Sequence, residues 1–274
     1  MSNRLLHHLI LTIFILIITA LVLFIIYKSK ISSQLLLEAE QNYKKAVEAP
    51  TPFQRGLDLN QTLSIYSSLE AEHQPIHGNG KLYYNLAQTY FDLEQYPWAV
   101  FYDYQAKALM PRNPNVDLHL REALKKLNIA FNENDSIFKK VFFFHYYLSL
   151  PERLQILFLC TLLIFATMCL YIWKANLRRF LRGLIMTMLF VGSVFLGSVL
   201  YSKYMEPLEG VIVKATMLYR DDSFQVALVD PKPLLEGVKV EVLDVEDSGK
   251  WLKIRSAERT LGFIPSDVIQ IIKK

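Results

Sequence analysis

The sequence predicts a multi-domain α plus β chain with three transmembrane helices, an α-helical helix–turn–helix domain and a small C-terminal β-barrel. Three observations predict it. Three apolar runs, Leu9–Tyr27, Leu154–Tyr171 and Leu184–Leu200, contain no charged residue. Between the first and second, apolar residues recur every three or four positions, the period of a helix face. After the third, the period switches to two, the period of a half-buried strand.

The totals set the bounds. At 274 residues the chain has room for about two domains by length, yet 52% of it is hydrophobic, which is high for a soluble protein. A net charge of +4, much of it in one loop and beside the first run, supplies no basic face for nucleic acid. Cys160 and Cys169 lie in the same apolar run, about half a turn out of phase on a helix. They are read as small packing residues, neither paired nor metal-binding.

The hairpin formed by the second and third runs sets the topology. A hydrocarbon core of about 30 Å needs roughly 20 apolar residues, and each run reaches this with its interfacial aromatics. The loop Trp173–Gly183 carries Lys174, Arg178, Arg179 and Arg182 and no acid. Short basic loops stay in the cytoplasm, so these residues determine topology and place everything outside the hairpin on the opposite face. The first run follows Arg4, His7 and His8, exceeds a secretory h-region and lacks a small-residue cleavage pattern. It reads as an uncleaved signal-anchor. The expected boundaries are 1–30 for this anchor, 31–130 for the helical domain, 131–152 for a linker and interfacial aromatic segment, 153–204 for the hairpin and 205–274 for the barrel.

Within 31–130, Leu35, Leu36, Ala39, Tyr43 and Ala46 mark one helix face. Thr51-Pro52-Phe53-Gln54 starts a second helix with an N-cap, a first-turn proline and a capping glutamine; Leu57, Leu59, Leu63, Tyr66 and Leu69 are its apolar face. The loop His73–Gly80 ends it. From Lys81, the residues Tyr83, Leu86, Ala87, Tyr90, Ala99, Ala106 and Pro111 fall at the intervals of a tetratricopeptide repeat, a 34-residue helix–turn–helix unit. Ala87, Ala99 and Ala106 suit the closest approach of its two helices. Asp103 stands where the repeat usually has an aromatic residue, with Tyr102 and Tyr104 beside it to take over by a small rotation. Asp117–Leu127 is expected as a fifth helix, with Leu118, Ala123, Leu124 and Leu127 facing inward. Tyr84, Gln88, Phe91 and Asp92 are the candidate partner-binding residues of the repeat groove; Tyr84 and Phe91 equally suit a core.

Asn132–Asp135 reads as a polar linker, and Val141–Leu150, VFFFHYYLSL, as a headgroup-level aromatic segment. Ser193 and Gly197 form a small-xxx-small pair suited to close helix approach. Beyond Pro207, strands are expected at Val211–Val213, at Val238, Val240 and Val242, at Trp251–Arg255, at Leu261–Pro265 and at Val268–Ile272. Their order resembles an SH3-like barrel, which hides its edges by closure. Lys250, Trp251 and Pro265 form its candidate ligand face. Lys250 and Val268 stand where a polyproline groove has aromatics, so proline-rich ligands are not expected.

No phosphate loop, zinc-ligand spacing or nucleophile elbow occurs. His73 and His77 are four apart with Pro75 between them, which breaks helical presentation of two ligands. No metal, no cofactor and no enzymatic activity are therefore expected.

The order of anchor, YYNLAQTYFDL…WAV…YQAKALMPRNP, basic hairpin and GVKVEVL…KWLKIR…LGFIP resembles the BatE family of tetratricopeptide proteins encoded in bacterial aerotolerance operons. The resemblance implies a scaffold of an envelope complex, and with the basic loop it gives the expectation of a bacterial inner-membrane protein with both soluble domains extracytoplasmic. Its implied partners are von Willebrand A-type membrane proteins and, indirectly, a MoxR-type AAA+ ATPase. The alternative reading is a peptidoglycan-binding envelope module in which the helices act as spacers.

Overall fold

The computed structural model describes residues 34, 36–73, 79–131, 142–223 and 227–272. The signal-anchor run Leu9–Tyr27, His77 and the linker Asn132–Asp135 lie outside the described residues. The chain divides into two compact units, residues 1–75 and 76–274, so the helical region expected over 31–130 is shared between them.

The first unit contains α1 (36–47) and α2 (Pro52–His73). The cap expected at Thr51 forms, with Gln54 N–H donating to Thr51 Oγ1 at 3.2 Å. The Gln54 side chain turns forward to Asp58. Ala39 and Ala46 of α1 and Leu59, Thr62, Tyr66 and Leu69 of α2 are buried, whereas Leu57 is exposed.

The second unit opens with α3 (Gly80–Asp92), α4 (Tyr96–Leu109) and α5 (Pro114–Lys126). Asn79 caps α3 by accepting from Lys81 N–H and Leu82 N–H, and Asn113 caps α5 ahead of Pro114. Ala87, Ala99 and Ala106 have no exposed surface, which lets α3 and α4 approach closely. Tyr90 stacks on both Trp98 and Tyr102, and Tyr83 meets Tyr102, so the helices run antiparallel. The inner face of α5 is Val116, Leu120, Ala123 and Leu124, while Leu118 is 60% exposed. This corrects the sequence expectation. The helix starts at Pro114, and Val116 sets the phase that was assigned from Leu118.

A short helix, α6 (Phe143–Tyr147), precedes two long ones, α7 (Leu150–Trp173) and α8 (Arg178–Tyr204). Among the described residues these two are long and apolar enough to cross a membrane, with mean hydropathies of 2.4 and 2.1. Phe158, Phe165, Met186 and Phe190 stand exposed on them, unlike the core helices of a globular protein. A 3₁₀ turn, Ala175–Leu177, joins them. The loop is thus shorter than the stretch Trp173–Gly183, because Arg178, Arg179 and Arg182 already belong to α8.

On α7 the buried residues Arg153, Cys160 and Thr167 repeat every seven positions, the seam spacing of packed helices. Arg153 meets Ser198 and Ser202 of α8, and Leu181 is the third buried residue of that helix. The close approach uses Gly192 and not the expected Ser193–Gly197 pair. Ser193 is exposed and donates back to Leu189 C=O, and a Cβ on Gly197 would meet nothing within 4 Å. Cys160 packs as expected, but Cys169 points outward. A Cβ at residue 192 would stand 3.9 Å from Cys160 Cβ, within disulfide reach. Oxidation of the variant Gly192→Cys is therefore expected to join the two helices. With a protease site placed in the 174–177 loop, the cut halves should stay together on a non-reducing gel; separated halves would refute this register.

The C-terminal part is a five-stranded antiparallel sheet in the order β4-β3-β2-β1-β5. Its strands are β1 (Leu208–Ile212), β2 (Lys239–Glu246), β3 (Trp251–Arg255), β4 (Leu261–Pro265) and β5 (Ile269–Ile272). The alternation seen in the sequence buries Val240, Val242, Leu252, Ile254 and Ile264 with Ile212, Leu218, Val268 and Ile269. The expected closed barrel does not form. Among the described residues no ladder joins β4 to β5, and the two remain the sheet edges. The segment after β1 lies along β4 instead, where Tyr219 and Phe263 exchange both backbone hydrogen bonds at 3.0 and 2.8 Å.

The sheet packs on the helices. Gln105 Nε2 of α4 donates to Ile271 C=O of β5, and Lys239 Nζ of β2 lies 4.9 Å from the centre of the Tyr104 ring. Gly237 adopts φ +83°, and a Cβ there would fall 2.2 Å from Leu127 Cδ1. Only glycine fits at this approach of the β2 entry to the end of α5.

Candidate functional site

The four residues assigned to the repeat groove share one face of α3, and all are half-buried. Their neighbour is His119 of α5, whose ring meets Tyr84 at 5.7 Å and Phe91 at 5.1 Å. Phe91 also meets Tyr96 edge-on. Tyr84 and Phe91 thus wall the seam between α3 and α5, and Gln88 and Asp92 lie along the same face.

Beneath this seam sits Asp103, with no exposed surface. The backbone has not rotated to bring Tyr102 or Tyr104 into its place. His119 makes this tolerable by pointing Nδ1 at both carboxylate oxygens, at 3.0 and 2.8 Å. Burial pushes the Asp103 carboxyl up to about 6, against the lowering effect of His119. Burial first, then the Asp103 and Glu122 carboxylates, raise the Tyr84 phenol. The groove floor is therefore a buried acid–imidazole pair under two aromatic rings.

Of the sheet residues singled out, Trp251 and Pro265 are paired across β3 and β4. Trp251 is only 6% exposed and has Tyr219 edge-on at 5.5 Å. Lys250 is exposed and pairs with Asp247. Lys174, Arg178, Arg179 and Arg182 are all exposed at the far end of the hairpin, with Arg178 over the Tyr171 ring.

The most elaborate polar site was not singled out from the sequence. It lies where α4, α6, α7, α8 and β1 converge, around a cavity of about 480 Å³. The helix start at α7 contributes first: Ser149 N–H donates to the Glu152 carboxylate at 2.9 Å. Glu152 also pairs with Arg112, tying α7 to the turn after α4. One turn on, Arg153 is 5% exposed. Its Nη1, with two N–H groups to share among them, lies 2.9 Å from Ser198 Oγ, 3.0 Å from Ser202 Oγ, 3.3 Å from Ser198 C=O and 2.8 Å from His145 Nδ1. The other nitrogen of that ring, Nε2, lies 3.2 Å from Glu206 Oε1. Arg153, His145 and Glu206 thus form a chain across three segments.

The cavity is also lined by two closed ion pairs, Lys107–Asp117 at 2.7 Å and Lys239–Glu209 at 2.9 Å. Among the described residues no cluster of His, Cys, Asp and Glu could hold a metal. One signal in the sequence pointed here. An arginine opening an apolar span, with serines on the facing span, is the pattern of an intramembrane polar site. His145 looked like one more member of an aromatic segment. Compared with protein-family models and with curated proteins, the chain gives no match to either.

Proposed function

We propose that this protein is a membrane-anchored scaffold that presents its repeat-like helices and its SH3-like sheet together on the extracytoplasmic face. In this reading Leu9–Tyr27 is a third span, and α7 and α8 are a hairpin. The observation that carries it is the packing of α4 on β1 and β5. These modules precede and follow the hairpin in the chain, and two modules in contact must share one side of a membrane. The basic residues agree. Cations in the first turn of α8 oppose the helix dipole, so Arg178 and Arg179 do not serve helix stability; retention in the cytoplasm accounts for them and for Arg182.

The Tyr84, Gln88, Phe91 and Asp92 face receives a protein partner, and the face around Lys250 a second ligand. The likeness to BatE-type proteins suggests von Willebrand A-type membrane proteins as the partner class.

Reporters that work on one side only, fused after residues 130 and 274, test the topology. Both are expected to report outside, and a third, after Asn176, inside. A split result for the first two would end the shared-face reading.

A further inference from the structure

Lys174, Arg178, Arg179 and Arg182 hold four positive charges around the turn between α7 and α8, and all four are exposed. No acidic residue occurs between Glu152 and Glu206. Those two acids stand at the opposite ends of the helices, roughly 36 Å away for the 24 residues of α7 at about 1.5 Å each. Among the described residues no carboxylate pairs with any of the four cations. Two of the arginines are also gathered at one point. Arg178 and Arg182 are one turn apart on the same face of α8, where like charges repel. The Arg178 guanidinium lies 5.7 Å from the centre of the Tyr171 ring, and Arg182 donates a hydrogen bond to the hydroxyl of that ring. Arg178 also opens the helix, at the positive end of its dipole. Repulsion and dipole both disfavour this arrangement by itself, and an anion between the two guanidinium groups relieves both.

We propose that Arg178 and Arg182 bind the phosphate of an anionic phospholipid headgroup. Phosphate matches the fork of a guanidinium. A headgroup with its own ammonium is disfavoured, because no carboxylate is there to receive it and Lys174 and Arg179 repel it. The apolar neighbours select a lipid over a soluble phosphate. Trp173 and Phe180 are 83% and 70% exposed beside the cations, and an exposed tryptophan at the end of an apolar helix suits the bilayer interface. Together they offer apolar surface to the glycerol and upper acyl chain next to the bound phosphate. The site rests on the membrane-spanning reading of the hairpin and adds a ligand to it: the residues that fix orientation also hold a lipid.

Native mass spectrometry of the full-length protein in detergent tests this by comparing phosphatidylglycerol with phosphatidylethanolamine. Phosphatidylglycerol is expected to be retained roughly 25-fold more tightly, about fivefold for each arginine. Arg178→Gln with Arg182→Gln should remove that preference. Lys203→Gln, which removes the cation beside Tyr204 at the other end of α8, should leave it unchanged. Without lipid the double glutamine variant should unfold no earlier than the native chain, whereas loss of a purely structural pair would lower its melting temperature. If the double glutamine variant does not fold, Arg178→Lys with Arg182→Lys keeps the charges and should still lower the preference severalfold, since the fork is lost. Inorganic phosphate should fail to displace the lipid; displacement would overturn the lipid source. Equal retention of the two lipids by the native chain, or a preference that survives the double glutamine variant, would overturn the proposal. Failure of the membrane-spanning reading would instead appear in the fusion reporter after Asn176.

Discussion

At pH 8 the Asp103→Asn variant is expected to unfold at a clearly higher temperature than the native chain, and at pH 4 the two should coincide. Asp103 is fully buried, and its carboxyl titrates near 6 in the folded protein against an ordinary 3.8. The folded state therefore holds the proton more tightly than the unfolded chain. Stability from this group is fully present below about pH 4 and is lost as pH rises through about 6, because unfolding then releases a carboxylate that burial had penalised. The loss amounts to about 3 kcal/mol at 1.36 kcal/mol per pH unit. Asparagine keeps an oxygen to accept from His119 Nδ1 and carries no charge to bury. Thermal unfolding of the full-length protein, followed by helical circular dichroism from pH 4 to pH 8, checks this. Parallel profiles for the two proteins would show that Asp103 is not the group responsible.

The second large effect is expected at Arg153. Arg153→Ala should lower stability in detergent by about 2 kcal/mol, near the middle of the range for hydrogen bonds to a charged group. Opposing effects set this size. Removing the guanidinium relieves its desolvation, and Ser198 and Ser202 have an alternative acceptor in the helix carbonyls one turn back, as Ser193 and Thr187 already do. His145 keeps only Ser198 as a donor to Nδ1. Arg153→Lys should recover part of the loss, since an ammonium keeps the charge and the donors but not the planar fork of the guanidinium. Ser198→Ala and Ser202→Ala should each cost less, about 0.6 kcal/mol, the usual worth of one interhelical hydrogen bond in a bilayer. Unchanged melting of Arg153→Ala would mean that the chain from Arg153 through His145 to Glu206 does not hold the helices together.

Elements set by local chemistry were legible in the sequence. Thr51 caps α2, and the alanines at 87, 99 and 106 are fully buried. Trp251–Arg255 and Leu261–Pro265 are strands with the bounds that alternation assigned. Each follows from propensity, capping or period, which act over a few residues. The misassignments have equally specific causes. Leu118 faces outward because the helix begins at Pro114 and not at Asp117, which adds Val116 to its inner face. Ser193 and Gly197 have the right spacing for a helix contact but face away from α7, and spacing alone does not say which face meets the neighbour. The barrel stays open because Tyr219 reaches the free edge of β4, a pairing between distant residues that no period announces.

By itself the sequence determined most of the helices and strands, where the apolar runs lie and where the basic residues between two of them fall. These depend on the order of residues along the chain and on their solvation. Only the tertiary structure decided that Asp103 would be buried against His119. It alone brought His145, Arg153, Ser198 and Glu206 from three segments around one cavity. The reason is physical: a buried polar group is stable only with its partners in place, and those partners come from wherever the packing of the helices and the sheet brings them.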